Sequence, residues 1–239
     1  MQSLPFKLQT PTMSSAYANR LFIITGGCGG FGKAFAEQIL RNKGKVVISD
    51  VVQEAGEKLA SELEKQYGKN CVTFVKCDVT DKKAMEALWD RAEEAFTPQL
   101  PVSVFINNAG VTFTAGIEKC FEINFQGVIN GTYLALERMG KKGHGTGALR
   151  GQGGQVVNVA SLAGLTLPTI VDTESYYIAK NAVVSLTRNI GLDVIYKEEG
   201  VRVNCMCPGF TDTPLFNSDP KLKAQVSKAK LCSELITFD

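Results

Sequence analysis

The sequence predicts an α/β fold in which helices cover both faces of a doubly wound parallel sheet. From residue 21 onward, short apolar, β-branched runs alternate with longer amphipathic stretches, as in strands linked by helical crossovers. A Gly-rich stretch, TGGCGGFG at residues 25–32, joins the first run to the first amphipathic stretch. At 239 residues, the chain is long enough to bury the core of one such domain.

Six strands are predicted, at residues 21–25, 45–49, 71–76, 102–106, 155–159 and 201–206. The helical patterns between them cover residues 33–43, 53–67, 81–96, 118–139 and 176–198. Residues 140–154 are rich in glycine and polar groups, so we expect a surface loop there, while 165–175 is expected to arch over the site. Residues 1–19 are predicted to form a flexible extension that precedes a single domain at 20–239.

The composition excludes several classes of function. A net charge of +2 from scattered basic residues does not favour binding to nucleic acid. The seven cysteines form no CxxC pair, and the single histidine, His144, lies among glycines, so we expect neither a disulfide framework nor a metal site. The cysteines indicate a reducing, cytoplasmic compartment, and no apolar run approaches the ~20 residues of a membrane span.

The Gly-rich stretch and Asp50 together predict a dinucleotide site in a Rossmann-like sheet. Glycines at 26, 30 and 32 leave the first strand and enter the first helix, whose N-terminus attracts a pyrophosphate. Asp50 ends the second strand, where a carboxylate accepts hydrogen bonds from a ribose 2′-hydroxyl and repels a 2′-phosphate. NAD is therefore preferred over NADP. Each feature alone is also compatible with a simple turn.

Two further clusters follow the third and fourth predicted strands. Asp78 in the CDVT stretch could contact an adenine amino group, and the small residues of the Asn108-Ala109-Gly110 turn would let a cofactor approach. Both clusters could equally be a helix cap or a turn.

Ser161, Tyr176 and Lys180 form the candidate catalytic set. Tyr176 and Lys180 are four residues apart, so their side chains share one face of a helix. A lysine ammonium beside a phenol is expected to lower the phenol's pKa from about 10 toward the working range of a general base. Ser161 could hydrogen-bond the substrate oxygen. A bare YxxxK pattern also occurs in ordinary amphipathic helices.

These motifs occur in one order, which resembles the short-chain dehydrogenase/reductase family over residues 20–216. The motifs are TGGCGGFG, Asp50, CDVT, NNAG, INFQG, VASLAG, YYIAK and VNCMCPGFTDTP. Within the family, INFQGVINGTYLALERM, SLAGL and VRVNCMCPGF are most similar to members of the NAD-dependent 15-hydroxyprostaglandin dehydrogenase type.

The resemblance implies hydride transfer from a secondary alcohol to NAD. Tyr176 would remove the hydroxyl proton while Ser161 holds the oxygen, Lys180 would also bind the nicotinamide ribose, and Asn124 would relay the proton outward. The substrate is expected to be an apolar alcohol or ketone, such as a lipid, prostaglandin-like molecule or steroid, and a homodimer or homotetramer is expected. The predicted cofactor-binding residues are Gly26, Gly30, Phe31, Gly32, Asp50, Val51, Asp78, Val79, Asn108, Ala109, Gly110, Tyr176, Lys180, Pro208, Thr211 and Thr213.

The C-terminal part departs from the family pattern. Only 30 residues follow Pro208-Gly209, enough for one polar helix at 221–231, so the last strand of the family's sheet is expected to be missing. Two alternatives therefore stay open: a catalytically impaired dinucleotide-binding or interaction protein, and an NADPH-dependent carbonyl reductase, against which Asp50 argues.

Overall fold

Six parallel strands form the centre of the protein in a computed structural model. The structure describes residues 17–96, 100–141, 153–167 and 172–217, together with 220 and 222–224. Outside these ranges lie the first 16 residues, His144, most of the 140–154 loop, residues 168–171 of the predicted arch, and most of the helix predicted at 221–231.

The strands and helices alternate along the chain as predicted. The strands are β1 (Leu21–Thr25), β2 (Lys45–Asp50), β3 (Val72–Lys76), β4 (Val102–Asn107), β5 (Gly154–Val159) and β6 (Val201–Met206). The helices are α1 (Gly30–Arg41), α2 (Gln53–Tyr67), α3 (Lys82–Phe96), α4 (Ile117–Phe121), α5 (Gly127–Met139), α6 (Glu174–Ile190), α7 (Asp193–Glu199) and α8 (Pro214–Asn217). A π-helical turn, Glu122–Gln126, joins α4 to α5.

Two helix predictions were wrong in detail. The single helix predicted at 118–139 is divided by the π turn into α4 and α5. The single helix predicted at 176–198 begins earlier, at Glu174, and is divided at Gly191 and Leu192 into α6 and α7. An added Cβ at Gly191 would lie 2.5 Å from the Val203 carbonyl oxygen, so α6 ends where the chain passes directly against the sheet.

The order of the strands across the sheet is β3-β2-β1-β4-β5-β6, and every adjacent pair is parallel. Because β1 lies between β2 and β4, the chain reverses its direction of winding there, and ligands bind in the crevice outside the carboxyl ends of such strands. This doubly wound order confirms the predicted fold class, with six strands among the described residues.

Each face of the sheet has its own apolar core, which explains why the strands read as continuous apolar runs. Leu21 and Ile23 of β1 face the core beneath α3 and α5, where Trp89 stacks on Phe105 with ring centroids 5.7 Å apart. Phe22 and Ile24 face the other core, which includes residues of α1 and α2. Alternate residues of one strand are thus buried on opposite faces.

No helix among these residues has the length and apolar content that a membrane crossing needs. Within the same residues, no group of three or more His, Cys, Asp or Glu side chains could hold a metal ion.

Candidate active site

The Gly-rich turn lies at the carboxyl end of β1, between β2 and β4. Gly26 has φ +63°, and an added Cβ there would stand 2.7 Å from the Ala109 Cα, so both the backbone conformation and the space require glycine. A Cβ at Gly32 would lie 2.8 Å from the Gly27 Cα and would also meet the Gly26 carbonyl oxygen. Gly32 therefore lets the first turn of α1 pack on the loop that precedes it.

The N-terminus of α1 is suited to an anion. The Gly29 N-cap has no side-chain cap, the first turn contains no acidic residue, and a Cβ at Gly29 would meet nothing within 4 Å. Gly30 faces a different neighbour, because a Cβ there would lie 2.7 Å from the Thr213 methyl. The cradle that Gly29 leaves open and the positive end of the helix fit the pyrophosphate of a dinucleotide.

Asp50 ends β2 beside the same turn. One carboxylate oxygen accepts a hydrogen bond from the Cys28 N–H at 3.2 Å, and the other accepts from the Val52 N–H at 3.4 Å. The next two residues, Val51 and Val52, are exposed by 54% each. Because both side chains are uncharged, these two positions place no basic group beside the carboxylate. Burial and the Asp50 carboxylate raise the pKa of the Cys28 thiol to about 12.

Asp78 and Val79 form the turn after β3. The Asp78 carboxylate accepts from the Thr80 N–H at 2.9 Å and from the Thr80 hydroxyl at 2.8 Å, which fixes the turn. The Val79 carbonyl accepts from the Asn130 side chain of α5 at 2.9 Å. This turn is thereby attached to α5.

Asn108 holds the Gly-rich turn with its side chain. Its amide donates to the carbonyl oxygens of Thr25 at 3.0 Å and Gly26 at 2.9 Å. The backbone N–H groups of Asn108 and Ala109 donate to the Thr25 hydroxyl at 3.1 and 3.2 Å. Thr25, which sequence reasoning did not select, therefore connects the ends of β1 and β4.

Asn124 lies fully buried in the π turn between α4 and α5. Its side-chain oxygen accepts from the Val111 N–H and its amide donates to the Val111 carbonyl, both at 2.9 Å. An added Cβ at Gly110 would stand 2.9 Å from the Asn124 side-chain oxygen and 3.7 Å from the Lys180 ammonium nitrogen. Gly110 thus lies between Asn124 and Lys180. π turns inside helices occur frequently at functional sites.

Ser161, Tyr176 and Lys180 meet at the carboxyl end of β5. Ser161 follows β5 and caps a short 3₁₀ turn by accepting from the Ala163 N–H at 3.2 Å, and its hydroxyl is close enough to Tyr176 to lower the pKa of that tyrosine. Lys180 is 4% exposed and its ammonium donates to the Val159 carbonyl at 2.9 Å. The same ammonium lies 5.7 Å from the centre of the Tyr176 ring. The structure therefore brings together the three residues selected from the sequence.

The predicted direction of the Tyr176 pKa was wrong for this arrangement. Burial raises the pKa of Tyr176 to about 12, and the hydrogen bond to Ser161 offsets only part of that rise. The Lys180 ammonium lies 5.7 Å from the ring centre and donates to the Val159 carbonyl, and its charge does not outweigh the effect of burial on the phenol. Burial also lowers the pKa of Lys180 to about 8, against the opposing influence of the Cys120 and Cys207 thiols.

The segment after β6 reaches both halves of the site. The Pro208 carbonyl accepts from the Leu162 N–H at 2.9 Å, next to Ser161. Thr211 and Thr213 are buried, and Thr213 packs on Gly30 of the Gly-rich turn. Pro208, Thr211 and Thr213 thus extend from the catalytic set to the predicted pyrophosphate site.

A buried polar network behind the site was not predicted. The Asn107 amide donates to the Asn158 side-chain oxygen at 2.9 Å, and the Asn158 amide donates to the Thr187 hydroxyl at 3.0 Å. Thr132 of α5 donates to the Asn158 oxygen at 3.2 Å. The available signal was an asparagine inside the predicted strand 155–159 and another directly after the predicted strand 102–106, where an apolar residue is the norm.

The fold and the site define a member of the short-chain dehydrogenase family. The model of that family, described as short chain dehydrogenase, matches residues 20–223, and the chain belongs to it. It is an oxidoreductase that acts on CH–OH donors.

Among curated relatives, the chain is 35% identical to 15-hydroxyprostaglandin dehydrogenase [NAD(+)] of Mus musculus, covering 84% of this chain and 71% of the relative. It is 32% identical to the NADP-dependent (R)-specific alcohol dehydrogenase of Lentilactobacillus kefiri, covering 85% and 77%. A short chain dehydrogenase/reductase from Burkholderia phymatum, solved in complex with NAD, matches with a TM-score of 0.71 and 27% identity, covering 90% of this chain and 78% of that one.

Proposed function

We propose that this chain oxidises a secondary alcohol to a ketone with NAD as the hydride acceptor and Tyr176 as the general base. The observation that carries the proposal is the convergence of Ser161, Tyr176 and Lys180 at the carboxyl end of β5, beside Asn124. These residues join an acid–base group, a hydrogen-bonding hydroxyl and a buried cation at one edge of the sheet.

Each residue of the set has a chemical task in the proposed mechanism. The Ser161 hydroxyl, which already lowers the Tyr176 pKa, orients the substrate hydroxyl and stabilises charge that develops on its oxygen. Tyr176 takes the hydroxyl proton. Lys180 keeps a positive charge near the Tyr176 ring, and this charge favours the phenolate against the effect of burial. Bound NAD supplies the hydride acceptor.

Asn124 has a positioning task. Its two hydrogen bonds to the backbone of Val111 fix the π turn, and they hold Gly110 next to the Lys180 ammonium. The proton that Tyr176 receives would pass by way of Lys180 and Asn124 to the solvent.

The preference for NAD rests on Asp50. Its carboxylate is held beside the Gly-rich turn by two backbone N–H groups, and the adjacent Val51 and Val52 offer no positive charge to a 2′-phosphate. The relative from Mus musculus is named for NAD(+), whereas the one from Lentilactobacillus kefiri is named as NADP-dependent. Asp50 supports the first of these cofactor choices for this chain.

An apolar substrate is favoured by the residues that follow Ser161. Leu162, Leu165 and Leu167 are exposed by 48%, 52% and 84%, next to a catalytic set that is itself polar. A lipid, prostaglandin-like or steroid alcohol would cover these side chains and release the water around them. The name of the Mus musculus relative, 15-hydroxyprostaglandin dehydrogenase, agrees with this class of substrate.

A matched pair of tyrosine variants tests the proposal. Tyr176→Phe should lower kcat/KM for secondary alcohols by about 10²–10⁴-fold, the usual contribution of a general base, while the Kd for NADH stays the same. Tyr177→Phe removes the neighbouring hydroxyl and should keep the wild-type rate. Calorimetry measures the Kd, and NADH absorbance measures turnover on a panel of lipid, prostaglandin-like and steroid alcohols.

The opposite outcome is equally clear. If the wild-type chain binds NADH but oxidises no alcohol in the panel, and Tyr176→Phe behaves identically, the chain is a non-catalytic dinucleotide-binding protein. A lower Kd for NADPH than for NADH, with ketone reduction as the faster direction, would instead favour a carbonyl reductase.

A further inference from the structure

Two thiols lie together at the end of the edge strand β6. Cys205 is the next-to-last residue of β6 and Cys207 follows its end. Their sulfur atoms are 4.0 Å apart, and both residues are partly exposed free cysteines. Because residues i and i+2 of a strand point to the same face, both thiols lie beneath α6, next to the apolar cluster that contains Val183 and Val184.

Cys207 lies beside Ala160, the residue that precedes Ser161, because the register pairs Val159 with Met206. The Met206 carbonyl accepts from the Ala160 N–H at 2.8 Å, and the Pro208 carbonyl accepts from the Leu162 N–H at 2.9 Å. Cys207 therefore lies between the two acceptors on its own strand, and Ser161 lies between the two donors on the neighbouring segment. The Cys207 thiol is also close enough to Lys180 to affect the pKa of that lysine.

A bond between the two sulfurs requires the strand to bend. Two residues of extended strand span about 6.6 Å, which falls near the upper end of the Cα separation found in disulfides, and the Cβ atoms of such a pair stand farther apart than the about 3.8 Å of a disulfide. The sulfurs must approach from 4.0 Å to about 2.05 Å. A disulfide at this limit of span is strained, and strained disulfides are reduced readily.

We propose that Cys205 and Cys207 are a reversible dithiol/disulfide site whose oxidation displaces the Ser161 segment. A low-molecular-weight disulfide such as oxidised glutathione is the oxidant. One protein thiolate attacks it, forms a mixed disulfide and releases one glutathione thiol. The second protein thiolate then attacks the protein sulfur of the mixed disulfide and releases the second glutathione. The protein dithiol loses two electrons and two protons, and the oxidant becomes two thiols.

The movement that closes the bond acts on Ser161 through the backbone. Drawing Cys207 toward Cys205 pulls on Met206 and Pro208, whose carbonyls hold Ala160 and Leu162. A displacement of about 1 Å at a catalytic group can cost about 10²-fold in rate. Lower turnover in the oxidised form rests on the proposed function, whereas the disulfide and the displacement do not.

Mass spectrometry of the full chain tests the site. After treatment with oxidised glutathione, we expect a mass lower by two hydrogen atoms, located in the tryptic peptide 203–221, which contains Cys205 and Cys207 and no other cysteine. Dithiothreitol should reverse the change. Hydrogen exchange measured on the same samples should be faster at the amides of Ala160 and Leu162 in the oxidised form.

Two variants serve as controls. Cys205→Ser should form no internal disulfide and keep the slow exchange of the reduced wild type. Cys71→Ala removes a buried cysteine at the start of β3 and should oxidise as the wild type does. The dehydrogenase assay, applied to the same samples, should show kcat lowered up to about 10²-fold by oxidation and restored by dithiothreitol.

Several results would overturn the inference. A wild-type peptide that keeps two free thiols, or a bridge from either cysteine to another part of the chain, excludes the site. Disulfide formation with unchanged exchange at Ala160 and Leu162 excludes the displacement. A reduced chain without turnover contradicts the proposed function alone, since the mass and exchange measurements still decide the dithiol.

Discussion

Thr25 and Asn108 bind each other reciprocally across the ends of β1 and β4. The Asn108 amide donates to the Thr25 carbonyl at 3.0 Å, while the Thr25 hydroxyl accepts the Asn108 N–H at 3.1 Å. The same Asn108 amide reaches the carbonyl of Gly26, the residue with φ +63° that turns the chain toward α1. The shape of the predicted pyrophosphate site thus depends on a side chain from a different strand.

Asn108→Ala should therefore destabilise the protein and loosen the Gly-rich turn. The carbonyls of Thr25 and Gly26 would lose their partner, which costs about 1–3 kcal/mol when such groups are partly buried. We expect a lower free energy of unfolding in urea and a higher Kd for NADH. Asn189→Ala, which removes an exposed asparagine whose side chain donates to the Ser185 carbonyl of its own helix, should change stability by less than about 0.5 kcal/mol.

Two glycines of the Gly-rich turn, Gly32 and Gly29, differ in the space that surrounds an added Cβ. An alanine Cβ at Gly32 would stand 2.8 Å from the Gly27 Cα, so Gly32→Ala should disrupt the turn and raise the Kd for NADH by at least about tenfold. At Gly29 the added Cβ meets nothing within 4 Å and φ is −106°, so Gly29→Ala should fold normally. A normal Kd in Gly32→Ala would contradict the packing role of Gly32. Calorimetry with NADH measures both variants.

The charge of Asp50 should decide the choice of cofactor. Asp50→Asn keeps the shape of the side chain, and with it an oxygen for the Cys28 N–H, but removes the negative charge. The ratio of Kd for NADPH to Kd for NADH should fall by about tenfold, which corresponds to about 1.4 kcal/mol. Glu54→Gln removes a charge from the exposed first turn of α2 and should leave the ratio unchanged. An unchanged ratio in Asp50→Asn would show that the carboxylate does not face the 2′ position.

The buried ammonium of Lys180 makes stability depend on pH. Burial lowers its pKa from 10.5 to about 8 in the folded chain, so between these values the unfolded chain binds more protons than the folded one. The folding contribution of Lys180 therefore becomes more favourable as pH rises from about 8 toward 10.5. Tyr176, Cys120 and Cys207 lie near the ammonium, so the contribution of Lys180 is measured as a difference between the wild type and a variant without the lysine.

Urea unfolding of wild type and Lys180→Met at about pH 7 and about pH 9.5 measures this contribution. The stability of the wild type relative to the variant should increase at the higher pH. Lys197→Met, which replaces an exposed lysine of α7, should show a difference from wild type that does not change over the same interval. A constant difference for Lys180→Met would mean that the lysine titrates near its ordinary pKa.

The strands could be predicted well from the sequence because burial on both faces leaves continuous apolar runs. The LFIIT run of β1 has the predicted bounds, and β6 has them as well. The helix boundaries were less predictable, since a π turn of five residues is too short to change the apolar pattern of the helices on either side visibly. The hydrogen bonds that Asn124 makes with Val111 from within this turn appear only in the tertiary structure.

The sequence by itself determined which residue types stand at the carboxyl ends of the strands: glycines after β1, Asp50 at the end of β2, Ser161 after β5. Local periodicity and turn chemistry carry that information. The tertiary structure alone decided their partners, because each partner comes from a distant part of the chain. Asn108 holds the Gly-rich turn, Thr213 packs on Gly30, and Lys180 donates to the Val159 carbonyl near the Tyr176 ring. Burial there raises the pKa of Tyr176 despite the charge of Lys180.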